Sequence, residues 1–314
     1  MNQVTNVLVV DDEPRIVRTL VRLLKPFYNV FQASSALEAM DIMRNNQVHV
    51  IVSDQRMPEM TGVELLSKVK DMSKNTIRIL LTGYSDLKAV MKSVNEGEIF
   101  RYITKPWNNQ ELLSLLEQAS GIAQSLFAFK PMPDFISRVQ TVEKKSTILS
   151  LSDQSNLTRN LQGLVGRNST IVSVDSPMDA MDYLTHSEVN VIVLDIGDSI
   201  TERSSFIKVA KAKFPHILSI VIANKGDSSQ LIELINEGQV YRYLTKSHSL
   251  GQLKLYLMSS LRYQRKLQEI PILTQQYQVE EIKDQTARKI SRALFSRFFS
   301  FFRRNEMRFL SKAV

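Results

Sequence analysis

The sequence predicts two doubly wound α/β domains, each built on a five-stranded parallel sheet, followed by a helical tail. Three observations carry this. Short, almost wholly apolar runs alternate with helical patterns from residue 7 to residue 119. Acidic, hydroxyl and basic residues stand directly after those runs, at the edge where an open parallel sheet binds its ligands. The whole arrangement then recurs at a constant offset of 141 residues.

The first strand is Val7-Leu8-Val9-Val10, followed at once by Asp11-Asp12-Glu13-Pro14. Ile16, Leu20, Leu23 and Leu24 recur at helical spacing, so the first helix begins just after the acid pair. Residues 29–33 make a short second strand, and Ser35 caps a second helix carrying Leu37, Met40, Ile42 and Met43. Val48, Val50, Ile51 and Val52 form a nearly unbroken apolar run, the mark of a central strand buried on both faces. It ends in Asp54 and a loop closed by Pro58 and Gly62. A helix over 64–69, a strand over 77–83 and a helix over 87–95 follow. The strand over 100–104 ends in Lys105-Pro106 and leads to a helix over 111–119.

The 314 residues suffice for two ordinary domains, and 43% hydrophobic residues can build real cores. The absence of cysteine excludes disulfides, thiolate metal sites and thiol nucleophiles. The first residues lack the charged and apolar regions of a signal peptide, and no apolar run approaches the ~20 residues that span a bilayer. A cytoplasmic protein is expected. The net charge is +8, and half of that excess lies in the last 46 residues. Residues 1–121 are balanced, so the first domain carries no basic nucleic-acid footprint and DNA is not an expected partner.

Right-handed crossovers bring the ends of the first, third, fourth and fifth strands to one edge. That edge collects Asp11, Asp12, Asp54, Thr82 and Lys105. Three carboxylates together repel unless a cation joins them, and a hard divalent ion such as Mg²⁺ suits an all-oxygen set. Lys105 adds a positive charge and Thr82 a hydroxyl donor, which match the oxygens of a transferring phosphoryl group. Asp54, at the end of the central strand, is the expected nucleophile, with an acyl phosphate as product. A lone Asp after a strand is commonly a turn former. Five such residues at successive strand ends are not explained that way.

Residues 1–121 resemble a receiver domain of a bacterial two-component response regulator, through VVDDEP, SDQRMPEMTG, LLTGYSD and RYITKPW. The resemblance implies that Asp54 accepts phosphate from a sensor histidine kinase or phosphotransfer protein. It implies Mg²⁺ held by Asp11, Asp12, Asp54 and the backbone carbonyl of Arg56. It further implies that Thr82 and Lys105 grip the phosphoryl group, that Tyr102 is the switch aromatic, and that the bond before Pro106 is cis. The implied face for partners and homodimerisation comprises 87–95, 100–104 and 111–119. The implied chemistry is autocatalytic, so no turnover enzyme is expected.

At the offset of 141, VHVIVSD (48–54) falls on VNVIVLD (189–195) and RYITK (101–105) on RYLTK (242–246). Asn95-Glu96-Gly97 likewise falls on Asn236-Glu237-Gly238. This second copy is edited. Asp153, Asp195 and Lys246 remain, but Ser152 replaces the first acid, Ala223 the threonine and Ser247 the proline. It reads as a degenerate receiver. The division is then 1–121 phospho-accepting receiver, 122–145 linker, 146–268 degenerate receiver and 269–314 tail. Over 283–314 the Phe side and the Arg/Lys side of one helix separate cleanly, as in a basic amphipathic helix. Such a helix docks on a protein or lies peripherally on an anionic membrane surface. Together these features predict a response regulator that switches protein–protein interactions. The rival readings are a phosphate sink without output and an adaptor recruited through its tail.

Overall fold

The first five apolar runs form β1 (Asn6–Val10), β2 (Asn29–Ala33), β3 (Val50–Asp54), β4 (Ile77–Thr82) and β5 (Arg101–Thr104). They make one parallel sheet in the order β2-β1-β3-β4-β5. The five runs of the second copy form β6 (Ser146–Leu151), β7 (Ser169–Val174), β8 (Val191–Asp195), β9 (Leu218–Ala223) and β10 (Arg242–Thr245). Their order, β7-β6-β8-β9-β10, is that of the first sheet, again all parallel. This computed structural model describes residues 4–83, 91, 94–95, 98–129, 145–166, 168–197, 200–224 and 228–277. Most of the helix expected over 87–95, residues 130–144 of the expected linker and the amphipathic tail over 283–314 lie outside them.

The helices are α1 (Pro14–Leu24), α2 (Ala36–Asn45), α3 (Gly62–Met72) and α4 (Asn109–Ala128) in the first half. In the second they are α5 (Ser155–Leu164), α6 (Pro177–His186), α7 (Ile200–Lys213), α8 (Ser228–Gly238) and α9 (Leu250–Glu269). α1 opens with Pro14, whose missing N–H is one the first turn leaves unpaired anyway. α2 is capped by Ser35 and α3 by a reciprocal Thr61–Glu64 box.

β3 and β4 are buried along their whole length because helices cover both faces. Val50, Val52, Ile79 and Leu81 pack against Leu20 and Leu24 of α1 and Leu112 and Leu116 of α4. Leu8, Ile51 and Leu80 face the other layer, with Ala39 and Met40 of α2 and Leu66 of α3. Each fully buried leucine contributes roughly 1.5–3 kcal/mol by leaving water. The helix expected over 111–119 runs on to Ala128 and takes in the start of the expected linker. Ile122, Ala123 and Leu126 continue its buried stripe, so nothing in the packing stops it at residue 119.

The repeat extends to individual backbone bonds. Gln55 N donates to Leu81 O at 3.0 Å, and Ile196 N to Ile222 O at 2.9 Å. Glu98 and Gln239, also 141 apart, both take a positive φ, 46° and 45°.

The two halves meet around a pseudo-twofold contact. Asn95 donates through Nδ2 to Tyr243 O (2.8 Å) and accepts through Oδ1 from Tyr243 N (3.0 Å). Asn236 makes the same pair with Tyr102 O and N, both at 2.8 Å. β5 and β10 are each an edge strand of its sheet, and each is closed by an amide from the other half. Arg242 reaches Glu98 at 3.7 Å, and Leu273, in the 3₁₀ turn Pro271–Tyr277, packs on apolar groups of both halves. Among the described residues, no helix is long and apolar enough to cross a membrane.

Candidate functional site

Asp11 lies one residue beyond β1, Asp54 ends β3, Thr82 ends β4 and Lys105 follows β5. Parallel strands in this order bring all four to one edge, as expected. Asp11, Asp12 and Asp54 each offer a carboxylate oxygen within 4.8 Å of the others. Lys105 Nζ bridges two of them, 2.6 Å from Asp54 Oδ1 and 2.8 Å from Asp11 Oδ2. Asp11 and Asp54 are buried, whereas Asp12 is exposed and open to a ligand from solvent. Burial pulls the Lys105 ammonium down, but its hydrogen bonds to Asp11 and Asp54 outweigh this and hold it above the usual lysine range.

Backbone donors orient the acids. Glu13 N donates to Asp11 Oδ1 at 2.9 Å and Arg56 N to Asp54 Oδ2 at 2.7 Å. The Lys105–Pro106 bond is cis, as expected. Thr82 is fully buried, and its hydroxyl donates to Gly83 O at 3.2 Å, a long bond for O–H···O. Tyr102 is also buried, on the strand that Asn236 grips. Gly62 is required by close approach, because a Cβ there would lie 2.0 Å from the Asp54 carbonyl oxygen.

This donor set fits a divalent metal. Three carboxylates against one ammonium leave two negative charges, and all the ligand atoms are oxygens.

The second edge is built differently. Lys246 Nζ stands 3.6 Å from Asp195 Oδ1, a looser contact than its counterpart. Ser152 Oγ donates to Asp195 Oδ2 at 3.4 Å and accepts from Gln154 N at 3.0 Å, taking the turn-forming part of Asp11. Asp153 is not drawn toward Asp195. It pairs with Arg203 of α7, whose other guanidinium nitrogen donates to the Asp195 carbonyl. Sequence reasoning missed Arg203 because its counterpart is Gly62, which has no side chain to compare.

A family model described as the response regulator receiver domain matches residues 7–117. The chain is 42% identical over 113 residues to the hydrogenase transcriptional regulatory protein HoxA of Cupriavidus necator, covering 36% of this chain and 23% of that one. It thus spans about a quarter of the length of that relative and of its Bradyrhizobium diazoefficiens namesake. Sporulation initiation phosphotransferase F of Bacillus subtilis is 30% identical over 107 residues, 34% of this chain and 86% of that protein. Among solved structures, the signal receiver domain of an HD domain-containing protein from Pseudomonas fluorescens Pf-5 aligns with 38% identity. That alignment covers 40% of this chain and 93% of that one, with a TM-score of 0.39. The match to residues 7–117 and the near-complete coverage of the Bacillus phosphotransferase show that this chain belongs to the response regulator receiver family.

Proposed function

We propose that the chain is a two-component response regulator that accepts a phosphoryl group on Asp54 from a sensor histidine kinase or a phosphotransfer protein. The carrying observation is the Asp54 carboxylate at the end of β3, paired with Lys105 beside Asp11 and Asp12. One Asp54 oxygen attacks phosphorus, and the bond to the donor imidazole nitrogen breaks with its electron pair leaving on that nitrogen. The product is an acyl phosphate. Mg²⁺, held by Asp11, Asp12, Asp54 and the Arg56 carbonyl, supplies charge neutralisation for the phosphoryl oxygens when bound. Lys105 exchanges its bond to Asp54 for one to a phosphoryl oxygen, and Thr82 exchanges its long bond to Gly83 for another. The first half, its last helix running on to Ala128, is then the live receiver and 146–268 a degenerate one, with a tail from 269 onward. The chemistry is a single transfer onto the chain itself.

The switched surface in this reading is the contact between the halves. Thr82 is paired with Thr104 of β5, and Tyr102 on that strand is held through its backbone by Asn236. A pull on Thr82 therefore reaches the second half through β5. This favours a signalling output over a simple phosphate sink. Val94, Asn95 and Tyr102, on the face that family resemblance assigns to homodimers, are engaged within the chain.

Intact-mass spectrometry after incubation with a small phosphodonor and Mg²⁺ tests the assignment. One phosphoryl increment is expected on wild type and Asp195→Ala, and none on Asp54→Ala. Labelling that survives Asp54→Ala refutes it.

A further inference from the structure

The two pockets differ in how their charge is balanced. In the first, Asp11, Asp12 and Asp54 face Lys105, which leaves two negative charges for a metal to meet. In the second, Asp153 and Asp195 face Lys246 and Arg203, and the charges close. Arg203 is 3% exposed despite its permanent charge, so its partners must hold it there. One nitrogen donates to the Asp195 carbonyl at 2.5 Å and the other to the Asp153 carboxylate. It thereby ties the end of β8 to the turn after β6, the two strand ends whose counterparts carry Asp54 and Asp12.

The reason Arg203 can do this lies in the helix start. α3 begins at Gly62, after a loop containing Pro58. Pro58 has its counterpart in Ser199, and α7 begins already at Ile200, three residues ahead of the position equivalent to Gly62. Position 203 then lies inside the first turn. At position 62 a side chain would collide with the Asp54 backbone, whereas Arg203 reaches the same carbonyl with its guanidinium. Gly197, with φ +54°, leaves ordinary van der Waals space beside that guanidinium.

We propose that Arg203 is a resident cation in the second pocket, joining its strand ends as a divalent ion joins those of the first. The second pocket accordingly takes no Mg²⁺ or Mn²⁺ and holds its shape without metal. The chain binds one divalent ion, not two. This rests on the reading of the first pocket as a metal site.

The test is Mn²⁺ binding to the full chain, followed by electron paramagnetic resonance of the free ion. Wild type should bind one ion and the Asp11→Asn/Asp54→Asn double variant none. Adding Arg203→Gln or Arg203→Gly to the double variant should restore one weaker ion, lost again with Asp195→Asn. An ion on the double variant overturns the proposal, because the second pocket would then take metal despite Arg203. So does a folded pair of Arg203 variants that recovers no binding. If Arg203→Gly fails to fold, Arg203→Gln, which keeps a donor for the Asp195 carbonyl, decides the matter alone. Wild type binding no ion would instead sink the first-pocket reading.

Discussion

Replacing Asn236 by alanine removes both hydrogen bonds that close the β5 edge at Tyr102, and Asn95→Ala does the same at Tyr243. Each intramolecular bond contributes about 0.5–1.5 kcal/mol, and a buried backbone group left unpaired adds to the loss. Two bonds per amide therefore put each substitution at about 2–4 kcal/mol of local stability. At about 1.4 kcal/mol per factor of ten, the exposed amide should exchange its hydrogen at least about 30-fold faster. Residue-resolved hydrogen exchange is the assay. Asn236→Ala should deprotect Tyr102, and Asn95→Ala should deprotect Tyr243 by a similar factor, since the pseudo-twofold makes the two sites alike. The amides of β3 and β8, deep in each sheet, should keep their protection. A Tyr102 amide whose exchange is unchanged in Asn236→Ala would refute the reasoning, because its partner would have to be something other than Asn236.

Packing and burial set the remaining expectations. Gly62→Ala should destabilise the first half by about 1–3 kcal/mol or more in urea unfolding, since backbone cannot yield to a Cβ at 2.0 Å. Gly163→Ala, in α5 with open space around it, should instead stabilise by up to about 1 kcal/mol. Lys211 is buried, donates to Pro215 O and Ile217 O, and lies 4.7 Å from the Tyr277 ring centroid. Burial pushes its ammonium down to about 7, whereas the unfolded chain keeps the proton up to the ordinary lysine value of 10.5. The unfolded state thus binds more protons between those values, so stability should rise with pH across that window. Lys211→Met should flatten the rise in melting temperature, and an unchanged slope would remove Lys211 as its source. His49 accepts from Asn6 N through Nδ1 at 3.0 Å, and its counterpart Asn190 accepts from Thr147 N at 2.7 Å. His49→Asn should therefore cost little in a melting experiment, while His49→Ala should cost about 1 kcal/mol or more by orphaning that N–H.

Burial and hydrogen bonding along each strand are local properties, which is why so much was legible in the sequence. The run Val50–Val52 has to be a central strand, because nothing polar interrupts it. Asp11, Asp54, Thr82 and Lys105 follow such runs directly, and parallel pairing leaves them no other place than one edge. The offset of 141 carried the same inference to the second sheet. The end of α4 was less legible. Gly121 stands just where the helix could stop, and only the buried stripe of Ile122, Ala123 and Leu126 shows that it continues.

The tertiary structure decided what depends on residues distant in the chain. Asn95-Glu96-Gly97 and Asn236-Glu237-Gly238 can be read as a repeat, but not as two amides that close each other's sheet edges. Arg203 looks in the sequence like one more helical cation, eight residues past an aspartate. Its role depends on where α7 begins and on the Asp195 carbonyl and Asp153 carboxylate that meet it there. Sequence alone determined the strands, their doubly wound parallel class and which residues gather at the first edge, since these follow from local apolar pattern and strand-end position. Which charge answers which across the second edge, and which surface answers β5, required the fold, because both are settled by side chains meeting through space.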